Sequence, residues 1–236
     1  MHWNRVRGGL GVVLPVLVVA ALLASAAAGA QNSPIPPTAA RFTVVLDAAH
    51  GGDDTGGRLA TNQMEKTATL ALSVRLRSLL AARGMAVVTT READVTVDPV
   101  KRAEMANHAK AAACLSVHAT ESGSGIHIFT SSLAPAQATR FVAWKTAQAV
   151  WMTHSLALAG AMNSALLHEG FNVTLSRTAL ISVDNMTCPA IALEVAPLRG
   201  PDGKVVAEPD NADYEAHVAN TLATALLAWR MEPHQP

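Results

Sequence analysis

Four side chains capable of hydrolytic chemistry, His50, Glu65, His118 and Glu194, lie at the edges of apolar or turn-forming stretches. His50 ends the run Val44-Val45-Leu46-Asp47-Ala48-Ala49 and is followed by Gly51-Gly52. Paired glycines let the backbone turn sharply and leave an imidazole open to a metal. On its own such a histidine reads as an ordinary turn residue. A second one, His118, ends Leu115-Ser116-Val117 in the same way. Glu65 opens a helical segment, where the helix dipole favours a carboxylate even with no metal. Two imidazoles and one carboxylate with an open fourth position are the ligand set of several catalytic zinc hydrolases.

Glu194 lies in Pro189-Ala190-Ile191-Ala192-Leu193-Glu194-Val195. An ionised carboxylate in so apolar a strand costs several kcal/mol unless it is paired, protonated or functional. A carboxylate at the end of such a strand suits a base acting on water. The competing reading is a glutamate on an edge strand that reaches solvent. His127 alternates with apolar residues in Gly125-Ile126-His127-Ile128-Phe129 and reads as the exposed side of a strand. His108, His154, His168 and His217 fall in helical stretches without the partners a zinc motif needs, and carry no assigned chemistry.

The elements that must position these residues follow from periodicity. Residues 42–47, 86–90, 113–118, 125–130 and 190–195 read as strands. Residues 65–83 read as a helix with Leu72, Leu76, Leu79 and Leu80 on one face and Gly84 as its stop. Asp98-Pro99 starts a second helix that runs to about Lys110. The stretch 136–169 is predicted to be mostly helical, in one or two pieces, with Phe141, Trp144, Val150 and Trp151 packed on the sheet. Tyr214, Val218, Leu222, Leu226 and Trp229 form one face of a last helix. Strands alternating with helices imply an α/β fold: a three-layer sandwich with a mostly parallel central sheet and helices on both faces. In such sheets, ligands bind beyond the carboxyl ends of the strands.

With 236 residues, half of them apolar, the chain can bury a sizeable core in one domain. Arg5 and Arg7, an uncharged apolar run over 10–23 and the small residues Ala28-Gly29-Ala30 read as a signal peptide, 1–30, cleaved after Ala30. An uncleaved anchor helix is the alternative. Residues 31–40 contain three prolines and read as a linker, leaving 41–236 as the catalytic domain. Eighteen basic residues balance eighteen acidic ones, and loss of Arg5 and Arg7 leaves a mature net charge of −2. That composition points away from nucleic acid and from an anionic membrane surface as partners. Cys114 and Cys188 lie four and six residues before His118 and Glu194. In parallel strands that offset puts them at different depths, which favours two buried thiols over a disulfide.

These motifs resemble the zinc-dependent N-acetylmuramoyl-L-alanine amidase family of the cell-division and sporulation type, over about residues 42–229. The family's strand leading into Pro-Gly-His-Gly-Gly, a variable residue and Asp corresponds to Ala48-Ala49-His50-Gly51-Gly52-Asp53-Asp54. Its Glu-Lys corresponds to Glu65-Lys66, and its Arg-containing helix ending Ala-Asn to Arg102 through Ala106-Asn107. Its Ser-Ile-His-Ala-Asn corresponds to Ser116-Val117-His118-Ala119-Thr120, and its Pro-Ala-Val-Leu-Val-Glu to Pro189 through Glu194. The resemblance implies one Zn2+ per chain on His50, Glu65 and His118, with Glu194 as general base.

It also implies peptidoglycan as substrate and hydrolysis of the amide between N-acetylmuramic acid and L-alanine; the signal peptide predicts export to the periplasm or the extracellular cell wall, with no stable membrane anchor after cleavage. The resemblance identifies no activator protein. From Ile126 to His168 there is no aspartate or glutamate that a covering helix could present to the metal. Three departures bear on substrate fit: Ala48-Ala49 for Pro-Gly, Thr120 for Asn, and Val195-Ala196-Pro197-Leu198-Arg199-Gly200 for the usual Gly-Phe-Leu-Ser-Asn. A zinc carboxypeptidase-like peptidase and a catalytically inactive peptidoglycan-binding module are the alternative functions.

Overall fold

The computed structural model describes residues 42–139 and 143–231. The signal peptide predicted for 1–30, the linker predicted for 31–40 and Arg41 lie outside them, as does Phe141. The elements run in the order β1 (Thr43–Ala48), α1 (Glu65–Ala82), β2 (Ala86–Thr89), α2 (Pro99–Ala109), β3 (Ala113–Ala119) and β4 (Ile126–Ser131). A 3-10 segment (Trp144–Trp151), α3 (Met152–His168), β5 (Val173–Thr178) and a 3-10 turn (Val183–Asn185) follow. The chain then forms β6 (Ala190–Val195), β7 (Leu198–Arg199), β8 (Val205–Ala207) and α4 (Ala212–Met231).

Among the described residues the central sheet has six strands in the order β2-β1-β3-β6-β4-β5. β1, β2, β3 and β6 are mutually parallel, and β4 with its parallel neighbour β5 is turned over against β6. The strands alternate their side chains between two unlike faces, as period-two geometry requires. Leu46, Leu115, Val117, Ile128, Ile191 and Leu193 face a core built with Leu72, Leu76 and Leu80 of α1, Leu158 and Met162 of α3, and Leu222 and Leu226 of α4. The opposite face buries Val45 and Cys114 against Ala103 and Ala106 of α2 and against Val183 and Met186. The expected sandwich is therefore present, but its second helical layer holds one long helix. Part of that face stays open.

Local chemistry sets the element ends. Asp98 is the N-cap of α2, where its carboxylate accepts from Val100 N at 2.8 Å and Pro99 fills the first turn. Such a cap contributes about 1 kcal/mol. No helix among the described residues is long and apolar enough to cross a membrane.

Three expectations are corrected. Among the described residues of the stretch read as helical over 136–169, only Met152–His168 is α-helix; Trp144–Trp151 is 3-10 and kinked at Thr146. Trp144 is exposed rather than part of the core, which this segment reaches through Ala147, Gln148 and Met152. β5 was absent from the strands read out of the sequence, although Val173-Thr174-Leu175-Ser176-Arg177-Thr178 alternates as a strand does. It is an edge strand, so its apolar residues remain partly exposed and do not read as core.

Cys114 and Cys188 form a disulfide rather than two thiols, with Cα atoms 6.3 Å apart. An offset in sequence keeps two cysteines at different depths only where both lie within strands. Register pairs Cys114 with Ala190, so Cys188 lies just before β6, in a turn free to fold back across the strand end. There, Gln148 Nε2 donates to the carbonyls of Met186 and Cys188 at 3.0 and 3.1 Å, and Ser155 Oγ donates to Gln148 Oε1 at 2.7 Å. Replacing both cysteines by alanine is expected to cost about 2–5 kcal/mol of stability. Urea titration under oxidising conditions measures this, and an unchanged midpoint would show that the cysteines are not bridged.

Candidate metal and catalytic site

The site is built where β1, β3 and β6 end on the open face. Beyond Ala48 the chain turns, and the left-handed backbone that this turn needs falls on His50 (φ 62°), Gly51 (φ 129°) and Gly52 (φ 59°). Ala48 ends the strand, and Ala49 continues its ladder by donating to Val117 O at 3.1 Å. Replacement of Pro-Gly by Ala-Ala therefore does not place a side chain where the backbone is left-handed. His50 does adopt that conformation, at a cost of about 1–2 kcal/mol.

The conformation is held from below. Arg102 of α2 donates through Nη2 to His50 O at 2.7 Å, through Nη1 to Ala48 O at 2.6 Å and to Asp47 Oδ1 at 2.6 Å. Asp47 also accepts from Thr90 and Ser116 hydroxyls, both at 2.7 Å, so this buried carboxylate is fully engaged. Arg91 adds donors to the carbonyls of Ala48, Ala49 and Lys66.

Above this floor His50, Glu65 and His118 converge, with candidate donor atoms all within 4.8 Å of one another. Among the described residues this is the one such group of histidines, cysteines and carboxylates. His50 Nε2 lies 3.1 Å from Glu65 Oε2, and His118 Nδ1 lies 3.0 Å from Glu65 Oε1. Glu65 also accepts from Gly57 N at 2.9 Å and Ala119 N at 3.2 Å. Burial pushes its carboxyl upward, but hydrogen bonds from His118, His50 and Gly57 N–H outweigh that and hold it well below the usual carboxylate range. The Glu65 hydrogen bond raises the pKa of His50 against the opposing effect of burial.

Asp54, four residues beyond His50, joins the site from the same turn. Both its oxygens lie 2.9 Å from His50 Nδ1. A carboxylate there favours the tautomer protonated on Nδ1, whose Nε2 lone pair can ligate a metal, and is the usual outer partner of a metal-binding histidine. The i, i+4 spacing from His50 was the available signal.

Glu194 pairs across the sheet with His118 on one side and His127 on the other. β6 is interior to the sheet, which disposes of the edge-strand reading. The side chain is nevertheless a quarter exposed, because it projects from the uncovered face. A cavity of about 460 Å³ is lined by Glu65, His118 and Glu194 together with Arg58, Glu121, Phe129 and Leu180. His127 was expected on the exposed side of its strand; it is instead mostly covered, with Nδ1 3.5 Å from Glu194 Oε2.

Residues 44–228 match the family described as N-acetylmuramoyl-L-alanine amidase. The chain belongs to this family. It is 32% identical over 124 residues to N-acetylmuramoyl-L-alanine amidase AmiC of Escherichia coli, a match covering 48% of this chain and 30% of that protein. It is 40% identical over 89 residues to an endolysin of Bacillus phage SPP1, covering 36% and 32% of the respective chains. The chain thus spans about a third of the length of these curated relatives. Its fold matches the crystal structure of the N-acetylmuramoyl-L-alanine amidase from Clostridium difficile 630 with a TM-score of 0.64 at 23% identity, over 82% of this chain and 99% of that one.

The remaining departures of this amidase-family chain are local. Thr120 N keeps the sheet ladder by donating to Val195 O at 3.0 Å, and its hydroxyl accepts from Ser122 N. The sequence after Glu194 forms the β7–β8 hairpin, anchored by Arg199 Nε donating to Gly123 O at 3.0 Å.

Because Asp47 is buried and its charge is met by Arg102, R102M is expected to destabilise the fold by about 3–5 kcal/mol. D47N combined with R102M should recover a large part of that loss, since the carboxylate that Arg102 balanced is then neutral. Urea titration of the three proteins measures it; equal losses in the single and double variants would show that the charge pair is not what holds this floor.

Proposed function

We propose that the chain is a zinc-dependent amidase that cleaves peptidoglycan between the lactyl group of N-acetylmuramic acid and the L-alanine of the stem peptide, after export to the periplasm or cell wall. Membership of the amidase family supports the reaction. The observation that carries the reading is one cavity lined by an unsealed glutamate, Glu194, and by Glu65 and His118 of the His-Glu-His donor group.

The donor set fits zinc: two imidazoles and one carboxylate converge, with His50 oriented by an outer carboxylate, and the cavity leaves a further side free for water and substrate. Zinc bound there supplies a Lewis acid that lowers the pKa of water and polarises the scissile carbonyl. Glu194 accepts the attacking water's proton and passes it to the departing alanine amine. The open sheet face admits the glycan and peptide arms of the substrate, and among the described residues none from 132–168 lines this cavity. Hydrolysis therefore needs no second protein to uncover the site.

A cell-wall peptidase is the second reading. Arg58 lines the cavity, where a guanidinium suits a terminal carboxylate. The products separate the two: an amidase frees stem peptides that begin with L-alanine, and a carboxypeptidase frees single carboxyl-terminal amino acids.

The purified chain is expected to carry one zinc, and H50A combined with H118A none, by elemental analysis; full occupancy in that double variant would move the site elsewhere. Residues 31–236 with zinc should release stem peptides from purified peptidoglycan without any added protein, as read by mass spectrometry. E194Q should keep zinc and fold while losing about 100- to 10,000-fold in rate. Activity of E194Q within a few-fold of the parent would remove Glu194 from the mechanism.

A further inference from the structure

We propose that His127 is a positioning residue for Glu194, fixing the carboxylate so that one oxygen faces the cavity. The inference rests on the reading of Glu194 as the base. Glu194 needs such a partner because its side chain is long, has three rotatable bonds and projects from a sheet face that no helix covers at this point. Left alone, it would spread over several rotamers, and a base must meet the water's proton at hydrogen-bond distance.

The sheet supplies the partner by register. β4 runs antiparallel to β6 and sets His127 directly opposite Glu194. Direct cross-strand neighbours have Cβ atoms about 4.5–5.5 Å apart, close enough for their side chains to pair. Nδ1 of His127 is 3.5 Å from Oε2 of Glu194, and both side chains are mostly covered, at 19% and 25% exposure. The pair is not hydrogen-bonded at this distance, and the proposed role requires the terminal torsions to turn until Nδ1–H reaches Oε2. With Oε2 held on the β4 side, Oε1 is the oxygen left for the cavity that Glu194 shares with His118 and Glu65.

The ring itself is seated. A Cβ on Gly123 (φ 80°) would lie 2.5 Å from Cε1 and 2.7 Å from Nε2 of His127, so the imidazole rests against bare backbone. Phe129, next on the same face, meets it edge to face at 6.4 Å between ring centres. Arg199 donates to Gly123 O and to Gly203 O, both at 3.0 Å, tying that backbone to the hairpin after β6. The imidazole therefore belongs to a constructed contact rather than to an exposed strand face.

The test compares H127L, H127N and the parent, each with zinc, on purified peptidoglycan or a soluble muropeptide. Asparagine places an amide nitrogen where Nδ1 stands; leucine does not. H127L is expected to lower kcat by about 10- to 100-fold, the range for losing an outer partner of a functional group, with KM little changed. H127N should restore most of kcat, and H127L placed on E194Q should cause no further loss, since the effect runs through Glu194. Zinc content and melting temperature should match the parent; if H127L does not fold, H127A makes the same comparison. Equal kcat in H127L and parent, equal loss in H127N and H127L, or a further loss in the E194Q background would each overturn the inference. Full activity of E194Q would instead refute the role of Glu194, a separate outcome.

Discussion

The buried pair of Asp47 and Arg102 is the constraint on which the site depends. A histidine at the end of a strand can serve a metal only if its backbone turns out of the sheet, and here that turn puts His50 itself in a left-handed conformation. The cost, about 1–2 kcal/mol, is met by hydrogen bonds to the carbonyls of Ala48 and His50 from one guanidinium. Arg102 in turn is tolerable in the interior because Asp47 balances its charge, and Asp47 because two hydroxyls and the guanidinium occupy its oxygens. Strained backbone persists where its surroundings over-determine it, and this is such a place.

A second constraint acts from the opposite end of the same strands. The disulfide joins the start of β3 to the turn before β6, and Gln148, Ser155 and Asn107 hold that turn through its carbonyls and amides. From those fixed points β3 and β6 run side by side to His118 and Glu194, which are register partners. The relation of a proposed ligand to a proposed base is thus set by two parallel strands clamped at their origins.

The unequal covering of the sheet gives the site its access. Three helices seal one face, while α2 and short 3-10 segments cover only part of the other. His118, Glu194, Phe129 and Ala192 emerge where that cover ends and line a common cavity. The reversal of β4 adds to this, because an antiparallel neighbour brings a residue from near its own start, His127, to the carboxyl end of β6.

The sequence by itself determined the parts whose signals are local. Apolar runs ending in His50 and His118, the Asp98-Pro99 cap and the leucine face of α1 each follow from neighbouring residues; such signals located five of the strands and two helices, while the roles proposed for His50, Glu65, His118 and Glu194 came from the family resemblance. Tertiary structure decided what depends on partners distant in the chain. The cysteine pairing turned on a fold-back outside the strands, which spacing does not encode. Glu194 read as a carboxylate in an apolar strand, yet it is partly open because the helices leave that stretch of sheet uncovered. His127 looked solvent-facing because alternation shows that a residue faces away from the core, not what stands across the sheet from it. Only the antiparallel register, formed between segments more than sixty residues apart, set its imidazole beside Glu194.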